Sequence, residues 1–169
     1  MTRADATLTL PQVTYRPPRL ADAVRVHALV DACKPLDVNS RYAYMLLCTH
    51  FAATSAIAEQ GRDVVGFVSG YLEPSARAVL FIWQVAVSPS TRGRGVGKRL
   101  LQEVLNRPAC RDVQYLETTI TPSNEASWVL FRSVARDRHA DYRQSAWFRS
   151  EDFGSEDHEE EVLLRIGPL

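Results

Sequence analysis

Three glycines and four basic residues alternate within the segment SPSTRGRGVGKRL, residues 88–100. The segment follows the apolar run VLFIWQVAV and leads into apolar residues at helical spacing. Glycine permits the backbone to approach a ligand closely, and helix N-termini with neighbouring arginines bind anions. The pattern therefore predicts a strand, a loop and a helix that together bind a pyrophosphate group. A tight turn with a solvated basic face is the alternative interpretation.

Two common nucleotide-binding loops do not fit this segment. A Walker-type phosphate loop needs GxxxxGK followed by Ser or Thr, but Gly93 and Gly97 are one residue too close and Arg99 follows Lys98. A dinucleotide-binding fingerprint needs GxGxxG within a series of βαβ units, and the chain has GRGVG instead. Glu117 lies near the distance expected of a ribose-binding acid, yet no such series surrounds the loop. We exclude both loops.

The strands and helices predicted on either side of the loop indicate an α/β domain. Apolar spacing predicts strands at 13–18, in a hairpin over 54–72, and at 79–87, 113–120 and 161–166. It predicts helices at 20–33, about 40–50, from the glycine loop to Pro108, and at 121–135. We place Tyr42, Leu46 and Leu47 on the inner face of the second helix. The prediction is a single domain over residues 13–169, with a mixed central sheet flanked by helices, after a flexible tail of residues 1–12.

The overall composition limits the kinds of partner that we expect the protein to bind. The formal net charge of the 169 residues is +0, so no general field favours nucleic acid or an anionic membrane, and we expect neither as a partner. Cys33, Cys48 and Cys110 are far apart and odd in number, which predicts buried thiols rather than disulfides or a zinc site. We find no ligand cluster for a metal. Without a long apolar span or a signal peptide, we expect a cytoplasmic protein.

Two motifs resemble the GCN5-related N-acetyltransferases. RGRGVG at residues 92–97 resembles the Q/R-x-x-G-x-G/A signature of that family, and NEASWVLF at residues 124–131 resembles its N-x-x-A-x-x-L-Y helix. The resemblance implies the fold of that family, a homodimer, and acetyl-coenzyme A as co-substrate. It also implies a bulge at residues 85–87 and a following strand that splays away. The cofactor-binding residues that it implies are Val85, Ala86, Val87, Arg92, Gly93, Arg94, Gly95, Val96, Gly97, Lys98, Asn124 and Phe131.

Phe131 departs from the family pattern, which usually has a tyrosine there as general acid. A phenyl ring cannot donate a proton. A thiol has a pKa of about 8.5, so the thiolate of coenzyme A is a tolerable leaving group near neutral pH. We expect the missing acid to be tolerated, or another tyrosine such as Tyr42 to supply the proton.

Longer segments resemble a narrower family, the L-2,4-diaminobutyrate acetyltransferases of ectoine biosynthesis. These segments are PLDVNSRYAYMLLCTHF at 35–51, WQVAV at 83–87, LETTITPSNEAS at 116–127 and HEEEVLLRIGP at 158–168. The resemblance implies acetyl transfer to the 4-amino group of L-2,4-diaminobutyrate. An alkylamine is mostly protonated at neutral pH, so the site must remove a proton before the amine attacks the thioester.

Three residues are candidates for contact with the diamine. Asp37 would pair with a substrate ammonium, and a helix cap or Asx turn is its structural alternative. Tyr42 offers a hydroxyl, and Trp83 an aromatic face to an ammonium, although both residue types are common in cores. The resemblance favours substrate contact for Asp37 and Trp83, and we assign Tyr42 to the same pocket. Gln84 carries an amide inside an apolar run and needs a hydrogen-bond partner.

Residues 151–161, EDFGSEDHEEE, contain seven carboxylates and one histidine. Such a run is usually a solvated loop, but HEEE recurs in the resembled family. We therefore expect His158 to bind substrate and to act as the base, with Glu151 and Glu161 as further candidates. An acetyltransferase of another small amine or of protein amino groups stays open. A non-catalytic acetyl-coenzyme A-binding module, suggested by Phe131, also stays open.

Overall fold

The computed structural model describes residues 11–154 and 158–169. Residues 1–10 of the predicted tail lie outside this range. The described elements in chain order are β1 (Val13–Arg16), α1 (Ala23–Ala32), α2 (Arg41–Thr49), β2 (Ala56–Gln60), β3 (Asp63–Leu72), β4 (Val79–Val87), α3 (Val96–Leu105), β5 (Tyr115–Ile120), α4 (Glu125–Asp137), β6 (Tyr142–Phe148) and β7 (Glu161–Ile166). The predicted helices and strands are confirmed, and β6 is an addition to them.

The strands form one mixed sheet in the order β1-β2-β3-β4-β5-β7-β6. All neighbours are antiparallel except β4 and β5, which are parallel. One core packs α3 and α4 against one face of the sheet, and a second packs α1 and α2 against the other. Strand β4 is therefore central, as its apolar sequence predicts.

Strands β4 and β5 separate after a short pairing. Their parallel ladder joins Val79–Ile82 to residues 115–118. Beyond Ile82, β4 continues to Val87 along β3 alone. The separation opens a cleft at the carboxyl ends of the two strands, and it confirms the predicted splay.

The bulge in β4 lies at Trp83, and the prediction of a bulge at residues 85–87 is wrong. Ser69 pairs with Gln84 but Gly70 pairs with Ile82, so Trp83 is the extra residue, while pairing is regular from Val85 to Val87. The cause is a close approach of backbones at Gly70. A Cβ there would lie 2.8 Å from the Phe81 carbonyl oxygen, so only glycine fits beside the bulge.

Helix α2 turns inward a face that agrees with the prediction at Leu47 and differs from it at Tyr42. Ser40 caps it, because the Ser40 Oγ accepts a hydrogen bond from Ala43 N at 3.2 Å. Tyr44 and Leu47 are buried, whereas Tyr42 is 67% exposed. Residues two apart on a helix point in nearly opposite directions, so Tyr42 faces away from the core that holds Tyr44. The inward placement of Tyr42 is therefore wrong.

The three cysteines are free and buried, which confirms the prediction made from their number and spacing. In the part of the chain that the structure describes, no helix has the length and apolar character needed to cross a membrane.

Candidate active site

The glycine loop gives α3 an unusual beginning. Gly93 has φ +74° and Gly95, the residue before α3, has φ +75°. L-amino acids with a side chain rarely adopt these values, so both positions require glycine. A Cβ at either residue would meet no atom of the described chain within 4 Å. The loop therefore presents bare backbone to the cleft, together with the unpaired amides of the first turn of α3. Such an arrangement can hold a phosphate or pyrophosphate.

Gly97 packs closely against α4 and β4. It is buried in the first turn of α3, and a Cβ there would lie 3.4 Å from both Leu130 and Val87 side-chain atoms. The absence of a side chain lets α3 approach α4 and β4 closely. Gly97 thereby sets the position of the amides at the start of α3, and Val96 beside it packs into the core.

The basic residues of the loop have different surroundings. The Arg92 Nε donates to the Val87 carbonyl at 3.3 Å, and the Lys98 Nζ pairs with Asp137 of α4 at 2.8 Å. The hydrogen bond from Lys98 lowers the pKa of Asp137. Arg92 and Lys98 line the cleft, whereas Arg94 is exposed outside its lining.

Strand β4 presents alternate peptide groups to the cleft. The Ser88 N–H donates to the Val65 carbonyl at 2.8 Å, so Ser88 and Ala86 direct their peptide groups to β3. Because direction alternates along a strand, Val85 and Val87 direct theirs to the open side, where an extended amide-containing ligand can bind. Ala86 also buries its side chain in the α1–α2 core. The contact of Ala86 with cofactor stays a prediction, which this orientation of its peptide group and side chain does not support.

Asn124 and Phe131 occupy the two ends of one helical face. The Asn124 Oδ1 accepts from Ser127 N at 3.1 Å and caps α4. Asn124 lines the same cleft as the glycine loop. Phe131 is 2% exposed, within the core beneath the cleft. The structure thus brings Asn124 into the site and makes Phe131 a part of its floor.

A hydrogen-bond network fixes the loop before α2 above β4 and supplies the partners of Gln84. The Gln84 Nε2 donates to the Asp37 carbonyl at 3.0 Å, and its Oε1 accepts from the Tyr44 hydroxyl at 3.1 Å. The Tyr44 oxygen accepts in turn from Asn39 N at 3.3 Å. The Asp37 side chain is exposed and lines the cleft. Since Ser40 caps α2, the capping alternative for Asp37 is wrong.

Trp83 lines the cleft and Tyr42 does not. The bulge leaves the Trp83 side chain 49% exposed, so the core interpretation of this tryptophan is wrong. Tyr42 lies outside the cleft lining in the described chain.

Glu117, on β5, lines the cleft as well. Its Oε1 accepts a hydrogen bond from Arg165 at 2.8 Å. The sequence interpretation did not assign Glu117 to this site.

The segment from His158 to Glu161 borders the cleft on the side of β7. The His158 Nδ1 lies 2.6 Å from the Glu159 carbonyl. A carbonyl only accepts, so Nδ1 carries the hydrogen, and in a neutral ring Nε2 keeps a free lone pair. The ring stacks on Phe153 at 3.8 Å. Residues 155–157 of the acidic run lie outside the described chain.

Two carboxylates of the acidic run differ in placement. Glu161 lines the cleft, whereas Glu151 is exposed outside its lining and pairs with Arg149 at 3.3 Å.

Among residues 11–154 and 158–169, no group of His, Cys, Asp and Glu side chains has a metal-binding arrangement.

Comparison with known proteins shows the family to which the chain belongs. A model described as "Acetyltransferase (GNAT) family" matches residues 24–135. The chain therefore belongs to the GNAT family of acetyltransferases.

The similarity extends to one activity within that family. The chain is 48% identical over 155 residues to the L-2,4-diaminobutyric acid acetyltransferase of Bordetella parapertussis, covering 91% of this chain and 83% of the relative. It is 49% identical over 156 residues to that of Chromohalobacter salexigens, covering 91% and 80%. The structure of diaminobutyrate acetyltransferase EctA from Paenibacillus lautus, in complex with L-2,4-diaminobutyric acid and coenzyme A, is 40% identical. The TM-score is 0.89, over 94% of this chain and 96% of that chain. These relatives confirm the narrower resemblance.

Proposed function

We infer that this chain is an acetyl-coenzyme A-dependent acetyltransferase that converts L-2,4-diaminobutyrate to N4-acetyl-L-2,4-diaminobutyrate. The product belongs to ectoine biosynthesis. The observation that carries the inference is the composition of the cleft. A glycine loop and the outward-facing peptide groups of β4 border one part, and carboxylates with a histidine border the other. The reaction is direct attack of the amine on the thioester.

The cofactor part of the cleft fits acetyl-coenzyme A. The amides at the start of α3, with Gly93 and Gly95, would hold the pyrophosphate, and Arg92 and Lys98 add positive charge. The peptide groups of Val85 and Val87 would pair with the amides of the extended pantetheine arm. Bound there, acetyl-coenzyme A supplies the thioester. We retain Asn124 at this border, and Arg94 as a surface cation near the phosphates.

The acceptor part of the cleft fits a small dication. Asp37 and Glu161 would attract the ammonium groups, and the exposed face of Trp83 adds a cation–π contact. With the hydrogen of a neutral ring on Nδ1, the His158 Nε2 lone pair can accept the proton that the attacking amine must lose. We retain Tyr42 as a proposed substrate contact and proton donor, although it lies outside the described cleft lining.

Product analysis tests the function directly. The purified protein is incubated with acetyl-coenzyme A and L-2,4-diaminobutyrate, and the product is examined by mass spectrometry and NMR. We expect one acetyl group on the 4-amino nitrogen. Acetylation at the 2-amino nitrogen would contradict the proposed orientation. Cofactor binding without turnover of any amine would instead identify a non-catalytic binding module.

We also propose a homodimer located in the cytoplasm. Strand β6 lies at the sheet edge, and every one of its residues is exposed, including Trp147 at 52% and Phe148 at 46%. Exposed edge strands with large apolar side chains favour pairing with another chain. The three buried thiols suit a reducing compartment. Light scattering after gel filtration tests the assembly: a mass of two chains supports the dimer, and a mass of one chain contradicts it.

A further inference from the structure

A side-chain hydrogen bond joins the segment that follows β5 to the segment that precedes β7. The last backbone pair of the ladder is Ile120 with Val162. Ser123 and Glu159 each lie three residues beyond this pair, where the chain after β5 turns towards α4. The Glu159 Oε2 accepts a hydrogen bond from Ser123 N at 3.1 Å. A carboxylate therefore joins the segment before β7 to the segment that leads into α4.

The hydrogen bond between Glu159 and Ser123 N lies directly next to His158 in the chain. His158 directly precedes Glu159 in the chain and lines the same cleft as Asn124, the cap of α4. The His158 ring is then oriented by its hydrogen bond to the Glu159 carbonyl and by stacking on Phe153. Hydrogen bonds from the side chain and backbone of Ser123 lower the pKa of Glu159, so the bond is made by the carboxylate.

We propose that Glu159 is a positioning residue whose bond to the Ser123 N–H sets the place of the His158 imidazole beside the acceptor amine, from which it can receive the proton. Glu159 acts through its neighbour and need not contact the substrate. The proposal rests on the proposed function, because it assumes that His158 receives the proton of the diamine.

A purely electrostatic role for Glu159 makes a different prediction. If the carboxylates only attract a dication, then Glu159 and its exposed neighbour Glu160 have similar effects. Glu160 makes no hydrogen bond or ion pair within the described chain. Glutamine at position 159 loses the charge but keeps an oxygen that can accept from Ser123 N. The two roles are therefore separable by substitution.

The kinetic test compares Glu159→Ala, Glu159→Gln and the matched control Glu160→Ala. We expect Glu159→Ala to lower kcat/KM for L-2,4-diaminobutyrate about tenfold, with the KM for acetyl-coenzyme A unchanged within about twofold. Glu159→Gln should retain most activity, and Glu160→Ala all of it. Full activity of Glu159→Ala overturns the proposal. An equal loss in Glu159→Gln overturns it as well, because charge would then be the cause.

Nitrogen-15 NMR of the histidine rings tests the same contact without turnover. His158→Ala identifies the His158 signals. In the unaltered protein these should report hydrogen on Nδ1, and Glu159→Ala should shift them towards a mixture of tautomers. Unchanged His158 signals in Glu159→Ala overturn the proposal. If the unaltered protein does not acetylate the diamine, the proposed function fails, while this measurement still decides whether Glu159 positions the ring.

Discussion

The Tyr44 hydroxyl and the Gln84 side chain are hydrogen-bonded at 3.1 Å across the junction of α2 and β4. Tyr44 is fully buried, and the same network holds the Asp37 carbonyl through the Gln84 amide. The loop that carries the Asp37 carboxylate is therefore attached to the strand that borders the cleft. A change in the buried network should affect stability and the acceptor part together.

Tyr44→Phe removes the hydroxyl and leaves both Gln84 and the Asn39 N–H without this partner. We expect the free energy of unfolding to fall by about 1–3 kcal/mol. We also expect a higher KM for L-2,4-diaminobutyrate, with little change for acetyl-coenzyme A. Urea denaturation and steady-state kinetics provide the two measurements. Tyr42→Phe is the control for stability, since that side chain is 67% exposed. An equal loss of stability in both variants would refute the importance of the network.

Gly95→Ala places a side chain at φ +75° directly before α3. The strain should cost about 1–2 kcal/mol of stability and raise the KM for acetyl-coenzyme A by displacing the first amides of the helix. Gly61→Ala is the matched control, because Gly61 has φ +64° in the β2–β3 turn, outside the cleft lining. The control should lose similar stability and keep its cofactor KM. An unchanged cofactor KM in Gly95→Ala would contradict the role of the loop.

His158→Ala removes the proposed proton acceptor. We expect kcat/KM for L-2,4-diaminobutyrate to fall at least about tenfold, which corresponds to about 1.4 kcal/mol of transition-state stabilisation. The KM for acetyl-coenzyme A should stay within about twofold. His50→Ala, at the exposed end of α2, is the control and should be fully active. A fully active His158→Ala enzyme would remove His158 from the site.

Asp22 gives the fold a predictable response to acid. Burial opposes ionisation of its carboxylate, but hydrogen bonds from Arg16, the Arg19 N–H and Arg25 outweigh burial and lower its pKa to about 2. Because the folded pKa lies below the ordinary value of 3.8, the stabilisation is present above pH 3.8 and is lost as pH falls towards 2. Asp22→Asn should therefore destabilise the protein by about 2 kcal/mol at pH 7, and by much less at pH 2.5.

Denaturation at the two pH values measures this difference. Asp31→Asn is the control, because Asp31 is exposed and pairs only with Lys34 among the described residues. The control should change stability by less than about 0.5 kcal/mol at either pH. A pH-independent effect of Asp22→Asn would show that its ionisation does not stabilise the fold.

Sequence patterns predicted the elements whose apolar residues form a continuous run or recur at helical spacing. The apolar run at 79–87 is β4 at the same boundaries, and the motif at 124–131 lies at the start of α4 as expected. Strand β6 escaped prediction because all its residues are exposed, so YRQSAWF has no alternation between a buried and an exposed face. Local pattern carries little information about such an edge strand.

The details of the site depended on contacts between distant segments. The bulge at Trp83 follows from the close approach of Gly70 to the Phe81 carbonyl. The partners of Gln84 come from α2 and from the loop before it. The bond between Ser123 and Glu159 joins segments that are far apart in sequence. No spacing within one segment could have indicated these contacts, whereas the glycine loop was predictable because its requirements are local.

Steady-state kinetics with four amines measures the acceptor specificity of the enzyme. Release of coenzyme A thiol is measured with L-2,4-diaminobutyrate, ornithine, lysine and spermidine at a saturating concentration of acetyl-coenzyme A. Asp37, Glu161 and Trp83 line the cleft; because we propose that they bind a small dication, we expect the highest kcat/KM with L-2,4-diaminobutyrate. A higher kcat/KM with ornithine or spermidine would contradict the claim and identify an acetyltransferase of another amine.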